Sequence, residues 1–223
     1  MPHVDVLSPS AKSIGSLNTL TVQPDGSIHA DNTDWLGIRN LLVDTLKTQR
    51  GVTSCGSLQA LVLGGGGTAR AACYALQQMG IGTLGVYNRS TDKAEALAAE
   101  FGGTCMVELE AGVSKLTSLD LVVSCVPASA NLTLTDERLK ALNPIVLDAA
   151  YRPRDTPLLT AAAAAGCVTI EGVEMLFEQG CAQCEIWTHR PAPRGAIAVG
   201  IKAFLEAQSF GPLPARIARE LPK

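Results

Sequence analysis

Leu61-Val62-Leu63-Gly64-Gly65-Gly66-Gly67-Thr68-Ala69-Arg70-Ala71 decides how this chain folds. An apolar strand runs into glycines, and the glycines open a helical segment. Gly64, Gly66 and Ala69 satisfy the spacing G-x-G-x-x-A, in which the first glycine permits a tight turn. The second lets the backbone approach a pyrophosphate, and the small third residue lets helix pack on strand. Free N–H groups of Gly67, Thr68 and Ala69 at the helix start then face the phosphates. Four consecutive glycines in a merely structural turn would be an unforced entropic cost.

The next strand, Thr83 to Tyr87, ends in Asn88-Arg89-Ser90, with Lys93 one turn on. Units that bind NAD usually end this strand in Asp or Glu, which takes the ribose 2′-hydroxyl. A guanidinium instead pairs with a 2′-phosphate and stacks on adenine. The ending points to NADP as cofactor.

Outward from this unit the pattern alternates strand and helix. Strands are expected at 58–63, 83–87, 104–107, 121–125, 145–149 and 168–170. Helices are expected at 68–79, 91–101, 135–142, 156–165, 173–188 and 192–208. Such alternation implies a parallel sheet covered on both faces. Upstream, 5–20 reads as a helical turn and a strand, Pro24-Asp25-Gly26 as a turn, and 27–30 as a returning strand. Trp35, Ile38, Leu41, Leu42 and Leu46 recur at helical spacing over 34–48. Taken alone, Asn32-Thr33-Asp34 reads as helix capping. Glu178-Gln179 reads as a solvated pair on a helix face. Tyr151, in the loop leaving the strand at 145–149, either offers a hydroxyl or packs.

Of the 223 residues, 47% are hydrophobic and 17% charged, with a net charge of −3. A large core is affordable, and no basic stripe supports nucleic-acid or anionic-membrane binding. No apolar run is long enough to span a bilayer, and the N-terminus lacks the charged-then-apolar order of a leader. A cytoplasmic protein is expected. Seven cysteines, at 55, 73, 105, 125, 167, 181 and 184, suit reduced core thiols. Cys181 and Cys184 have CxxC spacing without a second ligand pair, so no metal site is expected.

The ordered motifs together resemble the shikimate dehydrogenase family. Ile14-Gly15-Ser16-Leu17-Asn18-Thr19 is similar to its IGAVNT segment, and Asn32-Thr33-Asp34 with Gly37 to its NTD-x-x-G segment. Residues 64–71 and 88–90 look like its cofactor loop and NADP clamp. Residues 148–159, DAAYRPRDTPLL, and 172–179, GVEMLFEQ, look like its D-x-x-Y-x-P-x-x-TPLL and G-x-x-ML-x-x-Q motifs. Residues 123–128 and 186–188 resemble the dehydrogenase domain of the fungal pentafunctional arom polypeptide; fungal quinate repressors carry a related domain.

The resemblance implies an α/β fold: a doubly wound Rossmann sheet with an N-terminal remnant of a substrate domain and C-terminal helices. It implies three parts: the remnant and a connecting helix at 1–50, the NADP-binding domain at 51–190, and a C-terminal helix packing back on the substrate side at 191–223. It implies NADPH-dependent, reversible reduction of 3-dehydroshikimate to shikimate. Asp34 matches the aspartate of a catalytic Lys–Asp pair; Asn18, Tyr151 and Gln179 match residues that hold the substrate's hydroxyls; Gly172 matches a position beside the cofactor. The partner is then a small molecule of the shikimate or quinate class, and other domains of a larger polypeptide are expected alongside.

Three positions depart from the family. Ala30 and His189 stand where glycine is usual. The family's lysine lies upstream of Asn18, whereas Lys12, the one lysine before Asp34, is outside the matching motif. The expectation is an N-terminally short chain. A non-catalytic domain that senses quinate or shikimate is the alternative.

Overall fold

A computed structural model describes residues 3–116 and 118–222. Met1 and Pro2, which open the segment read for a leader, lie outside them. The chain starts with β1 (Val6–Leu7), α1 (Pro9–Ile14), β2 (Thr19–Val22) and β3 (Ile28–Asp31), followed by the long helix α2 (Asp34–Arg50). Then come β4 (Gln59–Leu63), α3 (Gly67–Gln78), β5 (Thr83–Tyr87), α4 (Thr91–Phe101), β6 (Thr104–Met106), α5 (Leu109–Val113), β7 (Leu121–Ser124), α6 (Asp136–Leu142) and β8 (Ile145–Asp148). The chain closes with α7 (Pro157–Ala164), β9 (Thr169–Ile170), α8 (Gly172–Thr188), α9 (Arg194–Ala207) and α10 (Ala215–Ala218).

Two sheets form. The small one has order β1-β3-β2, with β1 parallel and β2 antiparallel to β3. The large one has order β6-β5-β4-β7-β8-β9, and every pair in it is parallel. The expected doubly wound α/β architecture is therefore the observed one. The chain winds from β4 out to β6, then crosses back to β7 and winds the other way. The carboxyl ends of β4 and β7 flank this switch point, where doubly wound folds bind ligands.

Burial on both faces explains the near-continuous apolar strands. Ala60 and Val62 of β4, Leu121 and Val123 of β7, and Ile145 and Leu147 of β8 face one side. There they pack with Ile38, Leu41, Leu42 and Leu46 of α2 and with Ala72, Cys73 and Leu76 of α3. Leu61, Leu63, Val122 and Val146 face the other, against Leu109, Val113, Leu139 and Leu158. The stripe read on α2 thus belongs to the core of the large sheet. Gly37 permits the close crossing of α2 and α8, since a Cβ there would lie 3.1 Å from the Met175 carbonyl. Beyond α8, Ala198 of α9 and Ile217 of α10 bury against Phe177 and Cys181. Cys181 is a packing residue there, and all seven cysteines are free thiols.

The short elements α5 and α10 and a 3-10 turn at Ala128–Ala130 were not legible in the sequence. Each is too brief for periodicity to register, and tertiary packing rather than propensity holds it. Among the described residues no helix is long and apolar enough to cross a membrane.

His189 caps α8 with φ of +53°, in the left-handed region. A non-glycine residue there costs roughly 1–2 kcal/mol, partly offset because glycine loses more freedom on folding. His189→Gly is therefore expected to stabilise the chain by about 0.5–1 kcal/mol. Calorimetry should record a melting temperature higher by roughly 1–3 °C; an unchanged or lower melt would refute the strain.

Candidate functional site

Gly64, at the end of β4, has φ of +131°, and its missing Cβ would lie 3.3 Å from Cys125 at the end of β7. The glycine loop therefore sits directly on the switch point. Helix α3 starts at Gly67, no side chain caps its first turn, and a Cβ on Gly66 would project into open space. Ala69 is fully buried against the sheet, the packing that the third position of the motif requires. These are the features of a loop that receives a phosphate: free N–H groups, positive helix end and an open approach.

Asn88, Arg89 and Ser90 follow β5 on the same edge. The Asn88 amide donates to the Ser90 carbonyl at 3.0 Å, which turns the chain into α4. Arg89 is exposed and, among the described residues, makes no hydrogen bond or ion pair. With Tyr87, Asn88, Pro127, Ser129 and Leu132 it lines a groove of about 470 Å³. Lys93 is exposed too, and its Cβ and the Asn88 amide close over Gly65.

A second cleft, of about 250 Å³, opens between the start of α2, the loop after β8 and α8. Asn18, Asp34, Thr68, Tyr151, Gly172 and Gln179 line it. Thr68 opens α3, so this cleft and the glycine loop share an element. Gly172 comes in here because α8 starts against the Ala149 and Ala150 carbonyls, 2.6 and 2.4 Å from where a Cβ would be.

Asn18 organises the cleft. The Thr33 backbone N–H donates to its Oδ1 at 2.9 Å, as does the Thr19 hydroxyl at 2.7 Å. That fixes which end of the amide is oxygen and aims Nδ2 at Asp34 Oδ1, 2.8 Å away, and at Gln179 Oε1, 3.4 Å away. The Gln179 amide nitrogen donates to the Leu176 carbonyl at 3.0 Å, so its Oε1 faces the cleft and accepts from the Thr33 hydroxyl at 3.1 Å. Burial raises the Asp34 carboxyl above the usual aspartate range, opposed by the Asn18 amide. A carboxyl so placed can hold or pass a proton beside a hydroxyl of a bound ligand.

Two expectations change. The triplet 32–34 caps α2 differently: Thr33 is the cap residue but caps nothing with its side chain, and Asn32 Oδ1 accepts from the Asp34 N–H at 3.0 Å. Thr33 and Asp34 thereby turn their side chains into the cleft. Glu178-Gln179 is not a solvated pair: Glu178 pairs with Arg194 at 2.6 Å, and Gln179 is buried.

The sequence also passed over several contributors. Asp148 is buried; it accepts from the Thr156 hydroxyl at 2.8 Å and the Ala150 N–H at 3.1 Å, closing the loop that carries Tyr151. Burial lifts its pKa, offset by those same donors and by Ser124. Thr156 ahead of Pro157, a helix-start pattern eight residues after Asp148, was the available signal. Gln183, one turn after Gln179, donates to the Thr19 hydroxyl at 3.2 Å; its i+4 spacing was the signal. Tyr151 is 39% exposed, at the mouth of the cleft.

A parallel doubly wound sheet with a glycine loop at its switch point and an adjoining polar cleft defines a Rossmann-type dinucleotide-binding protein. The sequence model of the shikimate / quinate 5-dehydrogenase family matches residues 47–176, and that of the shikimate 5′-dehydrogenase C-terminal domain matches residues 172–198. The chain belongs to the shikimate / quinate 5-dehydrogenase family. It is 38% identical over 214 residues to the pentafunctional AROM polypeptide of Yarrowia lipolytica, an alignment covering 92% of this chain and 13% of that one. The chain thus spans a small fraction of the curated relatives it matches. The crystal structure of Mycobacterium tuberculosis shikimate dehydrogenase is 34% identical, with a TM-score of 0.71, covering 90% of this chain and 72% of that one. The Thermus thermophilus shikimate 5-dehydrogenase, solved with NADP(H) and shikimate, is 31% identical, with a TM-score of 0.68 and coverages of 86% and 69%.

Proposed function

We propose that this chain is an NADP(H)-dependent oxidoreductase domain that interconverts 3-dehydroshikimate and shikimate. The observation that carries this reading is the Asn18 amide, which ties Asp34 to Gln179 in one cleft with Tyr151 and the start of α3. In this reading Gly64, Gly66, Gly67, Thr68 and Ala69 hold the pyrophosphate, Asn88, Arg89, Ser90 and Lys93 hold the adenosine 2′-phosphate, and Gly172 lies beside the nicotinamide. When bound, NADP supplies or accepts the hydride. Asn18, Tyr151 and Gln179 hold ring hydroxyls, and Asp34 supports the proton transfer at the reacting oxygen.

The three-part division at 50 and 190 belongs to this proposal, as do a cytoplasmic setting and covalent linkage to other domains of a longer polypeptide. The low share of the AROM relatives covered supports the linkage, and the NADP(H) complex of the Thermus relative supports the cofactor.

One observation favours a second reading. Among the described residues no lysine lines the cleft, and Lys12 is exposed on α1. A domain that binds shikimate or quinate without turning it over fits that. The deciding assay is NADP-dependent oxidation of shikimate and quinate by the chain, run beside titration of NADPH, shikimate and quinate. Oxidation supports the enzyme; binding of shikimate or quinate without oxidation supports the sensor; no NADPH binding defeats the enzyme.

A further inference from the structure

The loop that carries Tyr151 is fastened to the C-terminal segment. The Arg152 guanidinium lies 4.9 Å from the centre of the Phe204 ring, 5.8 Å from that of Phe210 and 6.0 Å from that of Tyr151 itself. The two phenylalanines meet edge to face at 6.2 Å. Among the described residues no carboxylate pairs with Arg152, so aromatic faces are its partners. Arg154, two residues on, donates to the Phe210 and Pro212 carbonyls, both at 2.7 Å. Its Nε donates to Glu171 at 2.7 Å, the residue that caps α8 just before Gly172.

We propose that residues 204–212 are a strap that positions Tyr151, with Arg152 and Arg154 as the fastenings and Phe204 and Phe210 as the platform. The inference rests on the reading of the cleft as a substrate site. Three chain segments far apart in sequence converge there: the Tyr151 loop, the start of α8 and the end of α9. A cation held over rings fixes the guanidinium against the platform, and through the adjacent peptide it fixes the rotation of Tyr151. Arg154 sets the depth of the same loop through two carbonyls, a directional contact that a lysine does not reproduce. Of the cleft's polar side chains the strap reaches Tyr151 alone, since Asn18, Asp34 and Gln179 are held by one another.

The test uses the full chain with Phe204→Ala and Phe210→Ala together, and separately Arg152→Gln, an exposed side chain whose loss leaves the core intact. Carbon-13 labelling of the three tyrosines resolves Tyr74, Tyr87 and Tyr151, with Tyr151→Phe assigning the signal. In both variants the Tyr151 resonance is expected to shift while those of Tyr74 and Tyr87 stay. Shikimate affinity by calorimetry is expected to fall about 5- to 10-fold with NADPH affinity unchanged. Phe204→Tyr in the otherwise unchanged chain, which keeps a ring under the cation, should leave the parent values in place. A Tyr151 resonance unmoved in Arg152→Gln overturns the strap, and so does a shift of all three tyrosines with equal loss of NADPH affinity. Should the parent itself bind no shikimate, the Tyr151 resonance still decides the strap, and the substrate reading alone falls.

Discussion

Asp34→Asn is expected to slow NADP-dependent shikimate oxidation by about 10²- to 10⁴-fold while leaving NADPH affinity unchanged, the range for losing one positioned proton-transfer group. Asparagine keeps the size of the side chain and still accepts from the Asn18 amide, so the cleft keeps its shape and loses only the ionisable oxygen. Single-turnover absorbance at 340 nm with the chain in excess measures the step directly. A rate close to that of the parent would remove Asp34 from the chemistry. The pH profile adds a second check. Burial raises Asp34 above the ordinary aspartate value of 3.8, so the acid limb of the parent's profile should sit above that value and vanish in the variant.

Stability should move the opposite way. The folded chain holds the Asp34 proton more tightly than the unfolded chain does. The resulting stabilisation is full below pH 3.8 and is lost as pH rises through the raised folded value. Asp34→Asn has nothing to lose on that path. It should melt above the parent at neutral pH, with the gap closing in acid, the usual exchange between function and stability at a site.

The second large effect is on the cofactor. Arg89→Ala should weaken NADPH binding about 10- to 100-fold, since a hydrogen bond to a charged group is worth roughly 1.5–3 kcal/mol. NADH affinity should stay as it was, because NADH lacks the 2′-phosphate. Arg89 is exposed and without a protein partner among the described residues, so its removal leaves no orphaned group and no cavity. Its contribution should also shrink as salt rises. Fluorescence titration of both nucleotides in low and high salt reads all three effects, and an equal loss for NADH and NADPH would show that Arg89 does not read the phosphate.

Legibility was uneven, for physical reasons. The limits of β5 and α4 follow from Gly82 ahead of the strand, Ser90 at the start of the helix and Gly102 at its end, all local signals. The glycine loop was readable because its turn, its φ of +131° at Gly64 and its open approach at Gly66 depend on residues within a few positions. The cleft was not. Asn18 meets Gln179 across 161 positions, and Thr33 meets Gln179 across 146. Read locally, 32–34 is a cap and 178–179 a solvated pair. The cap reading holds through Asn32 alone, and the solvated-pair reading fails because α2 crosses α8 closely at Gly37 and turns Gln179 inward.

From the residues alone came the parallel α/β architecture, the place of the glycine loop after β4 and the arginine that follows β5. Each of these rests on backbone conformation and hydrophobic period over a few residues. Only the tertiary structure decided that Asn18, Asp34 and Gln179 form one hydrogen-bonded group, and that Arg152 reaches Phe204 and Phe210. Those contacts exist because buried helices must cross where small residues permit it, and polar groups carried into the crossing must find partners there.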